Sequence, residues 1–281
     1  MYSYPDKSRK HIIIMEISGI RLVYFSATYT TRKIVRAIAS EFGAPVHEND
    51  ITLCRLSEKA ISDGNDIITG TDELLVVGMP VYAGRIPSSA AATLRQFKGK
   101  GTPAIIVCVY GNRDYDDALV EMADILEENG FKVFSAAAFI AQHSIFPKVG
   151  KGRPDDKDMA KIKDFALESK KRIDSACSLE DLSSVLSSIK GNRPYKIPGS
   201  IPIIPTGDRK CSSCLACVKV CPVKAISSEN PRKTDDCKCI KCGRCVTVCP
   251  EGSRKFRGLL YRAAEMKFVS AYSDRKEPEI F

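Results

Sequence analysis

The sequence predicts an α/β protein in two parts: a doubly wound parallel sheet of five strands, and after it a small α+β domain rich in cysteine. Two observations predict this organisation. Over the first 190 residues, short apolar runs of strand composition alternate with helical stretches, as in parallel sheets covered by helices on both faces. Nine of the twelve cysteines then fall between Cys211 and Cys249. A chain of 281 residues is long enough for both parts.

The predicted strands and helices alternate in chain order. The first strand is the β-rich run 19–25, and apolar residues at helical spacing from Ile34 to Phe42 predict the first helix. A weaker strand is predicted at 51–56. The other strands are expected at 74–77, 104–109 and 131–140, with helices at 88–97, 116–128 and 155–173 and a last helical patch at 179–189.

Proline and cysteine mark the boundaries of the second part. Four prolines in segment 191–205 remove backbone donors and disfavour helix, which predicts an extended linker. We therefore expect an N-terminal extension (1–18), a sheet domain (19–190), a proline-rich linker (191–206), a cysteine-rich domain (207–258) and a C-terminal tail (259–281).

Charge and hydropathy narrow the class of protein. No apolar run approaches the roughly 18 residues that cross a bilayer, and Glu16 interrupts the N-terminal apolar run before it resembles a signal sequence. We therefore expect a cytoplasmic protein with no membrane insertion. The formal charge is +9, and residues 200–281 supply +7 of it, with 16 Lys and Arg against 9 Asp and Glu. Because no nucleic-acid recognition module accompanies this charge, we expect no nucleic-acid partner.

The cysteines form a repeat. The run Cys-x2-Cys-x2-Cys-x3-Cys-Pro occurs twice, and a shift of 28 residues superposes one copy on the other. Its short spacers let successive thiolates converge on a [4Fe–4S] cluster, and in doubled runs the fourth cysteine of each run ligates the other cluster. Structural zinc and a disulfide framework are the alternatives. Zinc sites usually have separated Cys-x2-Cys pairs, and disulfides are rare in cytosolic proteins. The expected ligand sets are Cys211, Cys214, Cys217 and Cys249 for one cluster, and Cys239, Cys242, Cys245 and Cys221 for the other.

The ninth cysteine of this region, Cys237, lies outside the repeat. We expect it to be a bystander thiol rather than a ligand.

Three loops are expected to meet at the carboxyl edge of the sheet. The hydroxyl-rich segment 26–31 precedes the first helix, where backbone amides and the helix dipole attract an anion such as a phosphate monoester. The alternative is that Thr30 or Thr31 simply caps the helix. Segments 80–87 and 110–116 follow the third and fourth strands. In doubly wound sheets such loops surround the switch point at which ligands bind.

These loops resemble those of flavodoxins, and the cysteine repeat resembles that of bacterial two-cluster ferredoxins. The chain is similar to a family of flavodoxin/ferredoxin fusion proteins, often found in anaerobes. The resemblance implies a flavodoxin-like sheet that binds FMN, and a ferredoxin-like domain with two [4Fe–4S] clusters. It places the FMN phosphate at Ser26, Thr28, Tyr29, Thr30 and Thr31, although flavodoxins usually have glycine where Tyr29 stands. It places the flavin ring beside Pro80, Val81, Tyr82, Ala83, Gly84, Tyr110, Gly111, Asn112, Arg113 and Tyr115.

The expected function is electron transfer between the two clusters and FMN. Clusters exchange single electrons and flavin exchanges one or two, so an oxidoreductase could couple one-electron donors to two-electron chemistry. The alternative is a non-catalytic carrier between larger redox enzymes. The expected partner is a redox protein such as a ferredoxin or an oxidoreductase, or a small-molecule acceptor.

Three further side chains near the expected flavin have two interpretations. His143 follows the fifth strand and is either a catalytic proton donor or a structural residue. Arg85 and Arg113 either stabilise a flavin anion or are surface charges.

Overall fold

The computed structural model describes residues 16–53, 67–199 and 201–281. Its strands are β1 (Gly19–Tyr24), β2 (Val46–Asp50), β3 (Ile67–Thr69), β4 (Glu73–Pro80), β5 (Phe97–Gly99), β6 (Thr102–Tyr110), β7 (Phe131–Ile140) and β8 (Glu279–Ile280). The main sheet has the order β2-β1-β4-β6-β7-β8, and β3 and β5 form a separate parallel pair. The first five strands of the main sheet are mutually parallel. Their order is the flavodoxin-like one, with its switch point between β1 and β4, which confirms the predicted fold class.

Helices cover both faces of this sheet. They are α1 (Thr30–Ser40), α2 (Ser88–Leu94), α3 (Ala118–Glu128) and α4 (Asp156–Ser175). Three further helices follow later in the chain: α5 (Ala216–Lys219), α6 (Arg244–Thr247) and α7 (Leu259–Tyr272). Alternate strand residues point to opposite faces. Leu22 and Val76 pack with α1 and α4, whereas Val23 and Val77 pack with α2 and α3. The continuous apolar strands are thus buried on both sides, as in other doubly wound sheets.

The second strand differs from its prediction. It lies at Val46–Asp50 rather than at 51–56, and 54–56 lie outside the described residues. The sequence of β2 is Val-His-Glu-Asn-Asp, and most of its side chains are exposed because it is an edge strand paired only with β1. An edge strand of this kind has no apolar signal. The buried apolar Ile51 follows β2 directly, and for this reason the strand was predicted to begin there rather than at Val46.

The last helical patch was also predicted wrongly. Segment 179–189 contains only the 3₁₀ turn Leu179–Asp181 and further turns. Its apolar residues Leu182, Val185 and Ile189 are nevertheless buried, so they pack on the sheet domain without forming a helix. Among the described residues, no helix is long and apolar enough to cross a membrane.

The linker is bound to α3. Asp117 accepts hydrogen bonds from the backbone N–H groups of Asn192 (2.8 Å) and Lys196 (2.6 Å), and the Arg193 guanidinium pairs with Asp124.

The C-terminal tail returns to the sheet domain. It contributes β8, which pairs antiparallel with β7 as a sixth strand of the main sheet. The buried Arg153 guanidinium donates to the carbonyl of Lys276 (2.8 Å), and Arg275 pairs with Asp155. The tail therefore packs on the sheet rather than extending from the cysteine-rich domain.

Candidate cofactor sites

Two cavities lie in the cysteine-rich domain, and each is lined by four cysteines. The inner cavity is lined by Cys221, Cys239, Cys242 and Cys245. The outer cavity is lined by Cys211, Cys214, Cys217 and Cys249. Each cavity thus collects three cysteines of one run and the last cysteine of the other. These are the two sets that crossed ligation predicts, and the assignment of ligands stays a prediction.

The backbone repeats with the sequence. Leu215 and Gly243, which the 28-residue shift superposes, both adopt left-handed conformations, with φ of 60° and 77°, and each begins a short helix. Ser213 and Lys241, another superposed pair, have φ of 57° and 58°. Left-handed backbone is unfavourable for residues other than glycine, so its recurrence at matching positions shows that both runs wrap their cavities in the same way.

The donor chemistry fits an iron–sulfur cluster. All described cysteines are free thiols, and no group of three or more His, Cys, Asp or Glu within the described residues is arranged to hold a single metal ion. Burial, and then the neighbouring thiols of Cys245, Cys239 and Cys221, raise the pKa of the Cys242 thiol to about 12. Such crowded thiols become thiolates when they ligate a cation. Four sulfurs around each cavity, without the arrangement that a single ion needs, favour a polynuclear cluster over zinc.

The phosphate loop, residues 26–31, connects β1 to α1. The Ser26 hydroxyl accepts from the backbone N–H of Arg32 (3.0 Å), and the Ser26 N–H donates to the Thr52 hydroxyl (2.9 Å). Tyr29 occupies the N-cap position with φ of 67°, so it keeps the left-handed conformation that glycine would adopt. Tyr29, rather than Thr30 or Thr31, occupies the N-cap position of α1, and its side chain does not cap the helix. The Ser26 hydroxyl accepts from the third N–H of the helix, and the first-turn N–H groups of a helix attract an anion.

The second loop, residues 80–84, ends in a tight turn. The backbone groups of Tyr82 and Arg85 exchange two hydrogen bonds (2.9 and 3.2 Å), while Ala83 and Gly84 have positive φ. A Cβ on Gly84 would lie 2.6 Å from a carboxylate oxygen of Asp116, so glycine here permits close packing of the second loop against the third. The Tyr82 ring contacts Phe25 edge-on at 6.2 Å, and burial raises the pKa of Tyr82 with Cys242 as a neighbouring cause.

The third loop, residues 110–115, is tied to the C-terminal tail. Tyr110 and Tyr115 are buried and meet edge-on at 5.6 Å, and the Tyr115 hydroxyl donates to Glu279 (3.0 Å). The Asn112 amide donates to the carbonyls of Tyr272 (2.7 Å) and Asp274 (2.8 Å). These side chains thus have structural contacts within the protein. The placement of the flavin ring beside Tyr82, Tyr110, Asn112 and Tyr115 stays a prediction.

His143 has a structural environment. Its Nδ1 accepts hydrogen bonds from the backbone N–H groups of Ile145 and Phe146 (both 3.1 Å), and its ring lies against Phe146 and Phe268. Burial, and then the charge of Arg113, lower its pKa to about 4. The imidazole is therefore neutral near pH 7, which favours the structural interpretation over a proton donor.

The two predicted arginines are paired. Arg85 forms an ion pair with the buried carboxylate of Glu121 (2.7 Å), and Arg113 pairs with Asp116. Neither guanidinium is a simple surface charge, and neither lacks an anionic partner.

Arg244 joins the two domains, and the sequence patterns did not single it out. It is 8% exposed, and its guanidinium donates to the Ser26 carbonyl of the phosphate loop (2.9 Å) and lies over the Tyr29 ring at 5.3 Å. Its Nε has no hydrogen-bond partner in the described part of the chain. A difference between the two copies of the repeat could have identified this residue, because the 28-residue shift superposes Arg244 on the small apolar Ala216.

The inner cavity therefore lies at the contact between the domains. Cys242 packs into the same apolar cluster as Tyr82 and the core of the sheet, and the neighbouring Gly243 approaches Thr28 and Ser144. By contrast, Cys214 of the outer cavity is exposed.

Comparisons with known proteins bear on both domains. A family model described as a 4Fe-4S dicluster domain matches residues 210–253. No curated protein matches the sequence. Solved structures that match include rubredoxin oxygen:oxidoreductase from Desulfovibrio gigas, at 17% identity and a TM-score of 0.39, over 57% of this chain and 38% of that one. This chain therefore spans well under half of that protein.

Two further structures match most of their own length. The apo form of the NADH:FMN oxidoreductase EmoB has 15% identity and a TM-score of 0.41, over 57% of this chain and 91% of that one. A Fusobacterium nucleatum flavodoxin bound to flavin mononucleotide has 15% identity and a TM-score of 0.37, over 54% and 97%. The fold assignment rests on the strand order and not on these likenesses. A flavodoxin-like sheet and a 4Fe-4S dicluster domain in one chain fit a flavodoxin/ferredoxin fusion.

Proposed function

We propose that this protein transfers electrons between two [4Fe–4S] clusters and FMN, as an oxidoreductase that couples one-electron donors to two-electron flavin chemistry. The observation that carries the proposal is the contact of the inner cavity with the sheet domain. Cys242 packs beside Tyr82, while Arg244, two residues further on, donates to the phosphate loop. One short segment thus contacts the expected positions of two redox groups.

The proposed ligand sets are those that line the two cavities. The inner cluster would be held by Cys239, Cys242, Cys245 and Cys221, and the outer cluster by Cys211, Cys214, Cys217 and Cys249. The FMN phosphate would lie at the N-terminus of α1, held by backbone amides and hydroxyls of the phosphate loop. Bound flavin would supply the ability to exchange one or two electrons.

The exposed side of the outer cavity suits a protein redox partner. Residues 200–281 carry +7, and two oxidised clusters with four thiolates each would add about −4, which leaves about +3. A net positive charge in this part of the chain would attract an acidic partner. Free thiols and clusters of this kind also favour a reducing compartment such as the cytoplasm.

A non-catalytic electron carrier is the second candidate, and a specific observation favours it. The three side chains expected to matter for turnover are all engaged: Arg85 with Glu121, Arg113 with Asp116, and His143 with two backbone amides. A reductase with these residues at its centre would need at least one of them to reach substrate.

Anaerobic reconstitution with iron, sulfide and FMN tests the proposal. We expect about eight iron atoms and one FMN per chain, with the visible absorption of both groups. Bound zinc without flavin would contradict the proposal. Steady-state assays with quinones and nitroaromatics, with dithionite or a reduced ferredoxin as donor, would then separate a reductase from a carrier.

A further inference from the structure

Tyr29 of the phosphate loop lies beneath two arginines, one from each domain. The guanidinium carbon of Arg32, in α1, is 5.0 Å from the centre of the Tyr29 ring, and that of Arg244, in α6, is 5.3 Å from it. The Tyr29 backbone has φ of 67°, which is unfavourable for a residue with a Cβ. An aromatic face attracts guanidinium groups, which glycine at this position could not do. The tyrosine therefore brings two positive charges to the phosphate loop.

Arg244 is a buried cation whose hydrogen bonds go only to neutral groups. It is 8% exposed, its guanidinium donates to the Ser26 carbonyl (2.9 Å), and its Nε is buried without a partner among the described residues. None of the ion pairs within the described chain includes it. Arginine remains protonated in proteins, and a buried charge without an opposite charge is costly. An anion beside the phosphate loop would offset this cost.

The guanidinium of Arg244 faces the phosphate loop rather than the inner cavity. Gly243 and Cys245, its neighbours in the chain, both line the inner cavity, whereas Arg244 does not. Its contacts are with Ser26 and Tyr29 of the loop instead. We therefore expect its charge to act first on whatever the loop binds.

The same loop presents the N-terminus of α1, a helix of 11 residues. The first N–H groups of a helix have no partner within the helix and attract anions. Arg32 adds its charge in this first turn. It takes part in no ion pair of the described residues, and Glu48, the carboxylate that senses its charge, is bound to Arg36 (2.8 Å). The helix dipole and two guanidinium groups thus favour an anion with more than one negative charge.

We propose that Arg244 determines the specificity of the sheet domain for the phosphorylated flavin, FMN, over riboflavin, and that the cysteine-rich domain thereby contributes to the flavin site. The inference rests on the proposed function, because it requires FMN at the phosphate loop. A phosphate monoester carries about −1.5 to −2 near pH 7. A cation held beside it in a site of low dielectric stabilises bound FMN. Riboflavin has the same ring without the phosphate, so the cation gives it no comparable stabilisation.

Flavin titrations test the inference. The chain is reconstituted anaerobically with iron and sulfide, freed of flavin, and titrated with FMN or riboflavin, and the quenching of flavin fluorescence gives each Kd. We expect Arg244→Met to weaken FMN binding about tenfold and riboflavin binding by less than about twofold, because the lost charge acts on the phosphate. Arg244→Lys retains the charge and should recover most of the affinity for FMN.

The salt dependence of FMN binding separates the charge of Arg244 from a purely structural role. Salt screens the attraction between Arg244 and the phosphate, so the Kd for FMN should rise more steeply with ionic strength in the wild type than in Arg244→Met. A residue that only shaped the loop would change the Kd by the same factor at every salt concentration. Arg262→Met is the matched control. It removes the same net charge from an exposed position on α7 and should leave both Kd values nearly unchanged.

Four results would overturn the inference. They are equal FMN affinities of the wild type and Arg244→Met, equal losses of FMN and riboflavin affinity, an unchanged salt dependence in Arg244→Met, and a wild type whose affinity for FMN does not depend on salt. The last of these needs no variant, and Arg244→Gln replaces Arg244→Met if the latter loses its iron. A wild-type chain that binds neither flavin would instead contradict the proposed function.

Discussion

The contact between the domains can be weakened at one side chain, Arg244. The change Arg244→Met keeps most of the aliphatic stem and removes the guanidinium. It deletes a charge-assisted hydrogen bond to the Ser26 carbonyl (2.9 Å), typically worth about 1.5–3 kcal/mol, and a cation–π contact with Tyr29, worth about 0.5–1 kcal/mol. The contact with the Ala27 carbonyl, at 3.5 Å, is too long to count. These contributions total about 2–4 kcal/mol.

Removal of the guanidinium also removes the cost of burying it. The side chain is 8% exposed and its Nε has no partner among the described residues, so part of the gain from its hydrogen bond offsets desolvation. We therefore expect a loss of about 2 kcal/mol in the free energy that holds the cysteine-rich domain against the phosphate loop. Because about 1.4 kcal/mol corresponds to a factor of ten, the opening equilibrium should rise roughly 25-fold.

Native-state hydrogen exchange of the holoprotein measures this opening. Peptides that contain the phosphate loop and α6 should exchange faster in Arg244→Met by roughly the same factor, while the interior strand β6 should not change. Arg262→Met is the control, because Arg262 is an exposed arginine of α7. Unchanged exchange in both peptides, with a full iron content, would refute the idea that Arg244 joins the domains.

Three other substitutions test separate parts of the structure. Cys249→Ser should lower the iron and sulfide content and spare FMN binding, because Cys249 lines the outer cavity with the first cysteine run; a full complement of iron would contradict the crossed assignment. His143→Asn should reduce the loss of stability in acid. The pKa of His143 is lowered to about 4, so the unfolded state binds more protons below pH 6.5, and stability falls by up to about 3 kcal/mol as the pH drops from 6.5 towards 4. Urea unfolding at pH 7 and pH 5 should therefore show a smaller difference in the free energy of unfolding for the variant than for the wild type. Equal differences would contradict this prediction. Arg153→Met should destabilise the protein by about 3 kcal/mol in urea, because it leaves Asp158 buried with only the partly exposed Arg275 as cationic partner; a loss no greater than that of Arg275→Met would contradict this.

The sequence predicted the parts of the fold that have a regular apolar pattern. Strands β4, β6 and β7 are buried along almost their whole length, so each appears as a predominantly apolar run. The edge strands lack this pattern. Strand β2 has mostly exposed polar side chains, and β8 consists of only two residues held by β7 and by contacts of the tail. Such strands are determined by their neighbours in space, which the sequence does not show.

The candidate sites divide in the same way. The cysteine spacing is local, so the grouping of the cysteines around two cavities could be predicted from the runs themselves. The roles of the third-loop side chains could not. Asn112 and Tyr115 bind the tail more than 150 residues later in the chain, and nothing near them in sequence indicates those partners.

The repeat provides a further signal where its two halves differ. Arg244 replaces Ala216 and Arg254 replaces Ile226, and both arginines are buried while both replaced residues are apolar. Arg244 joins its half of the repeat to the phosphate loop, and Arg254 lies in the wall of the opposite cavity. The basic excess of the C-terminal third is therefore partly internal: these two charges are not available to a docking partner. One of them makes its half of a duplicated domain contact the sheet, and the other places a buried cation beside the outer cavity.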